Sequence, residues 1–323
     1  LNHRLFHLIK NVLYFSRALK VKILVTGCNG QVGRNLVEQG TEYGWSIIGM
    51  SKAELDVGNG QSVLEKIELL KPDLIVNAAA FTGVDAAETS VEAAYRVNRD
   101  GAGNLARHAD SHGIPIFHLS TDYVFDGKHS RPYVEHDKTA PLSVYGASKR
   151  DGEAQVQQVE KHLILRTSWV YGAYGSNFLN TMLRLTGEKE LRIVDDQVGC
   201  PTSSERIASV LLELAQRYQS DGKLPWGLYH FSGQSHCSWF EFAQAIFDHV
   251  SRAGIIGRSP RLTPITTEEY PTPAKRPAWS VLDCRLFEST FGISPTPWRA
   301  DLQATLQSLK ADSDRLHISS VRC

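Results

Sequence analysis

Tyr145 and Lys149 lie four residues apart in Tyr145-Gly146-Ala147-Ser148-Lys149, a spacing that puts both side chains on one helix face. A free tyrosine has a pKa of about 10. A neighbouring ammonium and an oxidised nicotinamide both favour the phenolate, so together they would shift the tyrosine downward. Such a phenol can hand a proton to a carbonyl oxygen as hydride arrives at the carbon. Upstream, Ser120-Thr121-Asp122-Tyr123 closes an apolar run, and the Thr121 hydroxyl can hydrogen-bond and orient the same carbonyl oxygen. Alone, Tyr-x-x-x-Lys also describes an ordinary surface helix pair. The company it keeps makes it a catalytic candidate.

That company is a glycine loop, Gly27-Cys28-Asn29-Gly30-Gln31-Val32-Gly33, which follows a strand and opens a helix. Small residues let the backbone approach a pyrophosphate, whose charge the helix N-terminal amides stabilise. The competing reading is a merely tight turn. The spacing G-x-x-G-x-x-G points to short-chain reductases over lactate-type dehydrogenases. Lys149 would then also hold a nicotinamide ribose. The second strand ends Gly49-Met50-Ser51-Lys52, with Arg34 just past the third glycine. A hydroxyl and two cations suit a 2′-phosphate and hence NADPH, with Glu54 close by and NADH still open. Ordinary solvated surface is the other account of Lys52 and Arg34. In Leu55-Asp56-Val57, the Asp56 carboxylate could seat the adenine. Ala78, Ala79 and Ala80, after Asn77, leave room for an extended ligand or for close helix–sheet packing.

These residues need strands that end at a common edge. Apolar strands are read at 21–26, 46–50, 74–77, 115–120 and 162–167, with helices at 61–70, 91–112 and 143–159. Strand–helix alternation implies an α/β fold, a doubly wound parallel sheet of Rossmann type. After Thr167, glycine, proline and tryptophan become frequent, with a short strand at 228–231 and helices at 204–218 and 238–251. The expected division is a dinucleotide-binding domain at 21–165 and a smaller C-terminal α/β substrate domain at 166–310, with segments free to interleave. Residues 311–323 read as a tail. Residues 1–20 carry four cations, no acid and helical apolar spacing; they read as an extension outside the fold rather than a transit-like helix.

Composition narrows the class. Of 323 residues, 42% are hydrophobic and 22% charged, an ordinary globular balance. Lys+Arg and Asp+Glu both total 35, which argues against a nucleic-acid or membrane-surface protein. Five scattered cysteines without a C-x-x-C pair fit neither a disulfide framework nor a zinc ribbon, and suit a reducing cytoplasm. His108 and His112 share a helix face but lack a third metal ligand in view. His118, inside an apolar strand, reads as a satisfied core histidine.

The run of motifs closely resembles the dTDP-4-dehydrorhamnose reductase family, extended short-chain reductases. The matching stretches include Gly27 to Gly33, Asn77 to Thr82, Val84-Asp85, Ser120 to Phe125, Ala140-Pro141-Leu142 and Val144-Tyr145-Gly146. They continue through Arg166 to Tyr171, Asn177-Phe178, Thr181 to Leu185, Asp196-Gln197, Gly199-Cys200-Pro201-Thr202, Tyr270 to Ala274 and Arg276-Pro277. The resemblance thus spans nearly all of residues 21–300. It implies Tyr145 as proton donor, Lys149 as cofactor-holding lysine and Thr121 as the hydroxyl that tunes the carbonyl. It implies cofactor contacts at Gly30, Gln31, Val32, Asp56, Val57, Ala78, Ala79 and Ala80, and substrate contacts at Thr121, Asp122 and Trp169. Trp169 suits a sugar ring, with a core aromatic as the alternative. The implied reaction is NAD(P)H-dependent reduction of the C4 ketone of dTDP-6-deoxy-L-lyxo-4-hexulose to dTDP-L-rhamnose. The alternatives are a related 4-ketoreductase for another deoxysugar nucleotide, and a non-catalytic NADP-binding regulatory subunit resembling that of methionine adenosyltransferase. Some family members hold magnesium between subunits through glutamates. The matching position on the helix after the glycine loop is Asn35, so the resemblance implies no magnesium here and leaves a homodimer open.

Overall fold

The computed structural model describes residues 21–254 and 259–320, with side chains to residue 309; the N-terminal extension lies outside the described residues. In chain order the first half runs β1 (Lys22–Thr26), α1 (Gln31–Glu42), β2 (Ser46–Met50), α2 (Gly60–Leu70), β3 (Leu74–Asn77), α3 (Val84–Thr89) and α4 (Val91–Tyr95). A π-helical turn (Arg96–Gly101) leads into α5 (Ala102–Ser111), then β4 (Ile116–Thr121), α6 (Val144–Val156) and β5 (His162–Thr167). The second half holds β6 (Val170–Tyr171), α7 (Phe178–Arg184), β7 (Glu190–Val194), β8 (Val198–Gly199), β9 (Thr202–Ser203) and α8 (Ser204–Asp221). It closes with β10 (Gly227–His230), β11 (Cys237–Ser238), α9 (Trp239–Arg252), β12 (Arg261–Ile265), α10 (Arg285–Phe291) and α11 (Trp298–Ser320).

Six strands form one parallel sheet in the order β10-β5-β4-β3-β1-β2. Its strands are apolar because helices cover both faces. One face buries Val32, Leu36, Ile207 and Leu211 of α1 and α8 against Ile23, Val25 and Val76. The other buries Val63, Ile67, Leu105 and Val156 of α2, α5 and α6 against Leu24, Ile75 and Ile164. Strand order reverses between β1 and β3, and the crevice there is where such sheets bind ligands. The sheet's last strand, β10, comes from the second half of the chain.

A further apolar core holds Tyr171, Met182, Phe242, Phe247 and Trp298, from β6, α7, α9 and α11. Short pairs flank it: β6 with β9, β7 with β12 and β8 with β11. α11 continues through residues 311–320, read from sequence as a tail. Among the described residues no helix is long and apolar enough to cross a membrane.

The helix expected over 91–112 is interrupted rather than uniform. At the π-helical turn the Asn98 side chain turns out to bond the Phe81 N–H (2.8 Å), the Phe81 carbonyl (3.2 Å) and Ser148 Oγ (2.9 Å). Such bulges widen a helix locally to present a group, here toward α6. Gly152 of α6 meets the Asn98 carbonyl so closely that a Cβ would not fit.

Candidate active site

The site forms where β1, β3, β4 and β5 end. At the β1 end, Gly27 has φ +68°, a left-handed conformation that favours glycine. A Cβ there would lie 2.7 Å from the Ala79 backbone, so the β1 and β3 loops touch only because Gly27 lacks one. α1 then begins behind Gly30, without a side-chain cap and without an acid in its first turn. Its first amides are left for an anion. Gly33 plays a different part from its neighbours. It is buried under the loop, where a Cβ would strike the Gly27 carbonyl, and so serves loop packing rather than ligand contact.

A cleft of about 630 Å³ runs from this loop across the sheet edge. Gly27, Gly30, Gln31, Val32, Lys52, Asp56, Val57, Ala78, Ala79 and Ala80 line one end, and Thr121, Asp122, Tyr145, Lys149 and Trp169 the other. The residues expected from the sequence, as much as 142 positions apart, thus share one surface, Gly27 and Trp169 being the outermost of them. Of the two cations expected near a 2′-phosphate, Lys52 lines the cleft. Arg34 instead lies over the Tyr174 ring, 5.3 Å from its centroid. Glu54 turns back onto Ser51, accepting from its N–H at 2.8 Å and its hydroxyl at 2.6 Å. Asp56 pairs with Arg96 at 2.7 Å and accepts from the Gly58 N–H. Asn35 faces inward, donating to Ser204 Oγ at 2.9 Å between α1 and α8.

α6 starts with Ser143 capping the Gly146 N–H, which fixes where Tyr145 leaves the helix. Gly146 packs on the Tyr123 carbonyl with no room for a Cβ, drawing α6 onto the end of β4. Thr121 accepts from the Tyr123 N–H at 3.2 Å and donates to Asp122 at 3.1 Å. Burial pushes the Tyr145 phenol up to about 12, against a hydrogen bond with Thr121 that pulls it down. Burial thus opposes the downward shift expected from Lys149 and an oxidised nicotinamide. Lys149 is itself buried, which brings its ammonium down to about 8, with the Glu153 charge opposing. A neutral phenol is the form that can give a proton. Burial also raises Asp122 to about 6, opposed by hydrogen bonds from Ser280, Thr121 and Ser168.

Sequence reasoning missed Trp239 and Thr167 in this cleft, and the contact His118 makes behind it. Trp239 stacks face to face on Trp169, with centroids 3.4 Å apart and planes 1° apart. The pair is 70 positions apart, with no local signal to join them. Trp169 has φ +46°, and its indole crosses Gly199, where a Cβ would clash. It is a half-buried cleft residue, not a core aromatic. Thr167 stands beside Thr121 in register on β5, and its buried hydroxyl has no hydrogen-bond partner among the described residues. His118 is buried as expected, but reaches Lys149 at 3.5 Å. The offset of a His two residues before a Ser-Thr-Asp run was its only trace.

Fold and cleft together define a Rossmann-type reductase of the short-chain class, with a dinucleotide loop at one end and a Tyr–Lys–Thr set at the other. A family model described as the RmlD substrate binding domain matches residues 21–311. The chain belongs to that family. It is 44% identical over 285 residues to a dTDP-4-dehydrorhamnose reductase of Aggregatibacter actinomycetemcomitans, covering 87% of this chain and 97% of that one. It is 40% identical to the spore coat polysaccharide biosynthesis protein SpsK of Bacillus subtilis (strain 168), covering 91% of this chain and 99% of that one. Among solved structures, the dTDP-4-dehydrorhamnose reductase of Bacillus anthracis str. Ames in complex with NADP superposes with a TM-score of 0.84. That pair is 34% identical and covers 90% of this chain and 100% of the other.

Proposed function

We propose that this protein reduces the C4 ketone of dTDP-6-deoxy-L-lyxo-4-hexulose to dTDP-L-rhamnose, with NADPH as the preferred dinucleotide and NADH also accepted. The observation that carries the reading is the convergence of Tyr145, Thr121 and Lys149 at the far end of the cleft that the glycine loop opens. The residues fit a dinucleotide: uncapped α1 amides for the diphosphate, Asp56 and Val57 for the adenine end, and Lys149 for the nicotinamide ribose. The orphaned Thr167 hydroxyl marks a polar group still awaiting a partner at the nicotinamide end.

When bound, the nicotinamide supplies the hydride. The protein supplies orientation and the proton. Thr121 holds the ketone oxygen within reach of Tyr145, whose neutral phenol donates its proton to that oxygen as it becomes an alkoxide. The Lys149 ammonium stabilises the phenolate left behind. Trp169, with Trp239 behind it, offers the flat apolar face that a sugar ring packs on. The cleft holds these groups in one geometry, and such pre-orientation is a large contribution to the rate of a bound pair.

The test is NADPH and NADH oxidation by the purified protein, supplied with freshly prepared dTDP-6-deoxy-4-ketohexose, with the product sugar identified. Oxidation coupled to dTDP-L-rhamnose supports the proposal and ranks the two cofactors. A different product sugar would move the assignment to another 4-ketoreductase, and cofactor binding without turnover would sink the reductase reading.

A further inference from the structure

A buried chain of side chains runs behind the cleft from β1 to α6. Thr26 Oγ1 donates to Asn77 Oδ1 at 2.8 Å, and the Ala79 backbone N–H donates to the same oxygen at 3.1 Å. A backbone N–H can only donate, so this contact fixes which end of the Asn77 carboxamide is oxygen. The other end, Nδ2, is therefore a donor where it meets His118 Nδ1 at 3.0 Å. His118 must accept there. That excludes the imidazolium and puts the ring hydrogen on Nε2. The Nε2–H faces Lys149 Nζ at 3.5 Å, and both residues are cut off from solvent.

An N–H opposite Nζ disfavours the ammonium without removing it, so Lys149 keeps its charge at neutral pH and sheds it more readily as pH rises, the amine then turning its lone pair toward Nε2. A second direction around Nζ is taken by the Leu119 carbonyl at 2.5 Å. β4 thus fixes two directions of the amine and leaves the rest for the cleft that Lys149 lines. We propose that His118 is a positioning residue: locked by Asn77 in its Nε2–H form, it sets the direction and protonation of the Lys149 amine toward the nicotinamide ribose. This rests on the reading of Lys149 given above.

The surroundings agree. Burial and the Lys149 charge hold His118 well below its ordinary value. Facing Lys149 from its own helix are Glu153, which favours the ammonium, and Tyr145 one turn back. Glu153 is in turn held by Arg166 of β5 at 2.7 Å and by Ser120 of β4. The charged groups of α3 and the π-helical turn are engaged elsewhere, Asp85 on Arg276, Glu88 on the Val144 N–H, Arg96 on Asp56 and Arg99 on Asp100.

Two measurements test it on the full chain with NADPH bound. In ¹⁵N-histidine NMR between pH 6 and 9, His118 should show a bare Nδ1 and a protonated Nε2 throughout. A protonated Nδ1, or an imidazolium, overturns the proposal. In kinetics, Asn77→Asp supplies a carboxylate that accepts from Thr26, Ala79 and a newly protonated Nδ1, so that Nε2 offers Lys149 its lone pair. The alkaline limb of kcat should then move up by about one pH unit, with KM for the sugar nucleotide unchanged. Adding His118→Leu keeps the new charge but removes the ring, and should return the limb toward wild type. A limb unmoved by Asn77→Asp, or one that stays shifted in the double variant, overturns the role of the ring. Should the wild type fail to turn over the sugar nucleotide, the substrate reading falls, while the tautomer measurement still decides for or against His118.

Discussion

Tyr145 and Lys149 are displaced in opposite directions by one cause. Burial penalises the phenolate and the ammonium alike, so the tyrosine moves up to about 12 and the lysine down to about 8. At neutral pH the tyrosine therefore keeps the proton that the proposed mechanism has it give. Tyr145→Phe should lower kcat by about 10²–10⁴-fold while leaving NADPH affinity, read by fluorescence titration, within a few-fold. Lys149 makes a sharper prediction because it is 3% exposed. Its folded-state value lies below the unfolded one of about 10.5, so at pH 7 the buried charge costs the fold up to roughly 3 kcal/mol. The unfolded chain binds more protons between pH 8 and 10.5, so stability rises with pH across that window. Lys149→Met should therefore raise Tm at pH 7 while abolishing turnover, and the gain should fade as pH climbs from 8 to 10.5. A Tm gain that is constant with pH would contradict a buried ammonium.

At the scale of elements, α6 is placed by two glycines rather than by its apolar face. Gly146 rests on the Tyr123 carbonyl and Gly152 on the Asn98 carbonyl, each too close for a Cβ. Backbone oxygens cannot swing aside as side chains can. Gly152→Ala must therefore push α6 from the π-helical turn, at a cost of about 1–3 kcal/mol. Calorimetry should show a Tm lower by several degrees, and kcat should fall at least tenfold because Tyr145 moves with its helix. Wild-type kcat in that variant would mean that α6 tolerates the shift. The π-helical turn itself was illegible. Periodicity reports which face is buried, and an extra residue in one turn hardly changes that pattern over 91–112.

Across the whole molecule, the far end of the cleft is walled by a contact between the segment just past β5 and α9. Trp169 lies two residues past the end of β5, and Trp239 opens α9, which packs with α7 and α11 in its own core. The backbone at Trp169 holds a left-handed conformation, a local strain that the surrounding packing must offset. Trp239→Ala should raise KM for the sugar nucleotide about tenfold and leave dinucleotide affinity unchanged, as steady-state kinetics and NADPH titration would show. An equal loss of NADPH affinity would place Trp239 in the fold rather than at the substrate end. Beneath the site, the buried Arg166–Glu153 pair ties β5 to α6, and Arg166 also reaches His230 of β10 at 3.3 Å. Through that pair, the strand from the second half supports the catalytic helix in the first.

The sequence alone determined the parallel sheet, the glycine loop and the Tyr145–Lys149–Thr121 set, because each is written in short-range spacing: strand–helix alternation, a seven-residue loop and an i, i+4 pair. It also carried enough motif to name the family. Only the tertiary structure decided that Gly33 packs while Gly27 and Gly30 line the cleft, that Arg34 leaves the cofactor end for Tyr174, and that Trp239 joins Trp169. The same holds for the acidities. Tyr145 was expected to fall beside Lys149 and an oxidised nicotinamide, yet desolvation in the half-buried cleft raises it, and depth below a surface is a property of the packed molecule that no spacing along the chain records.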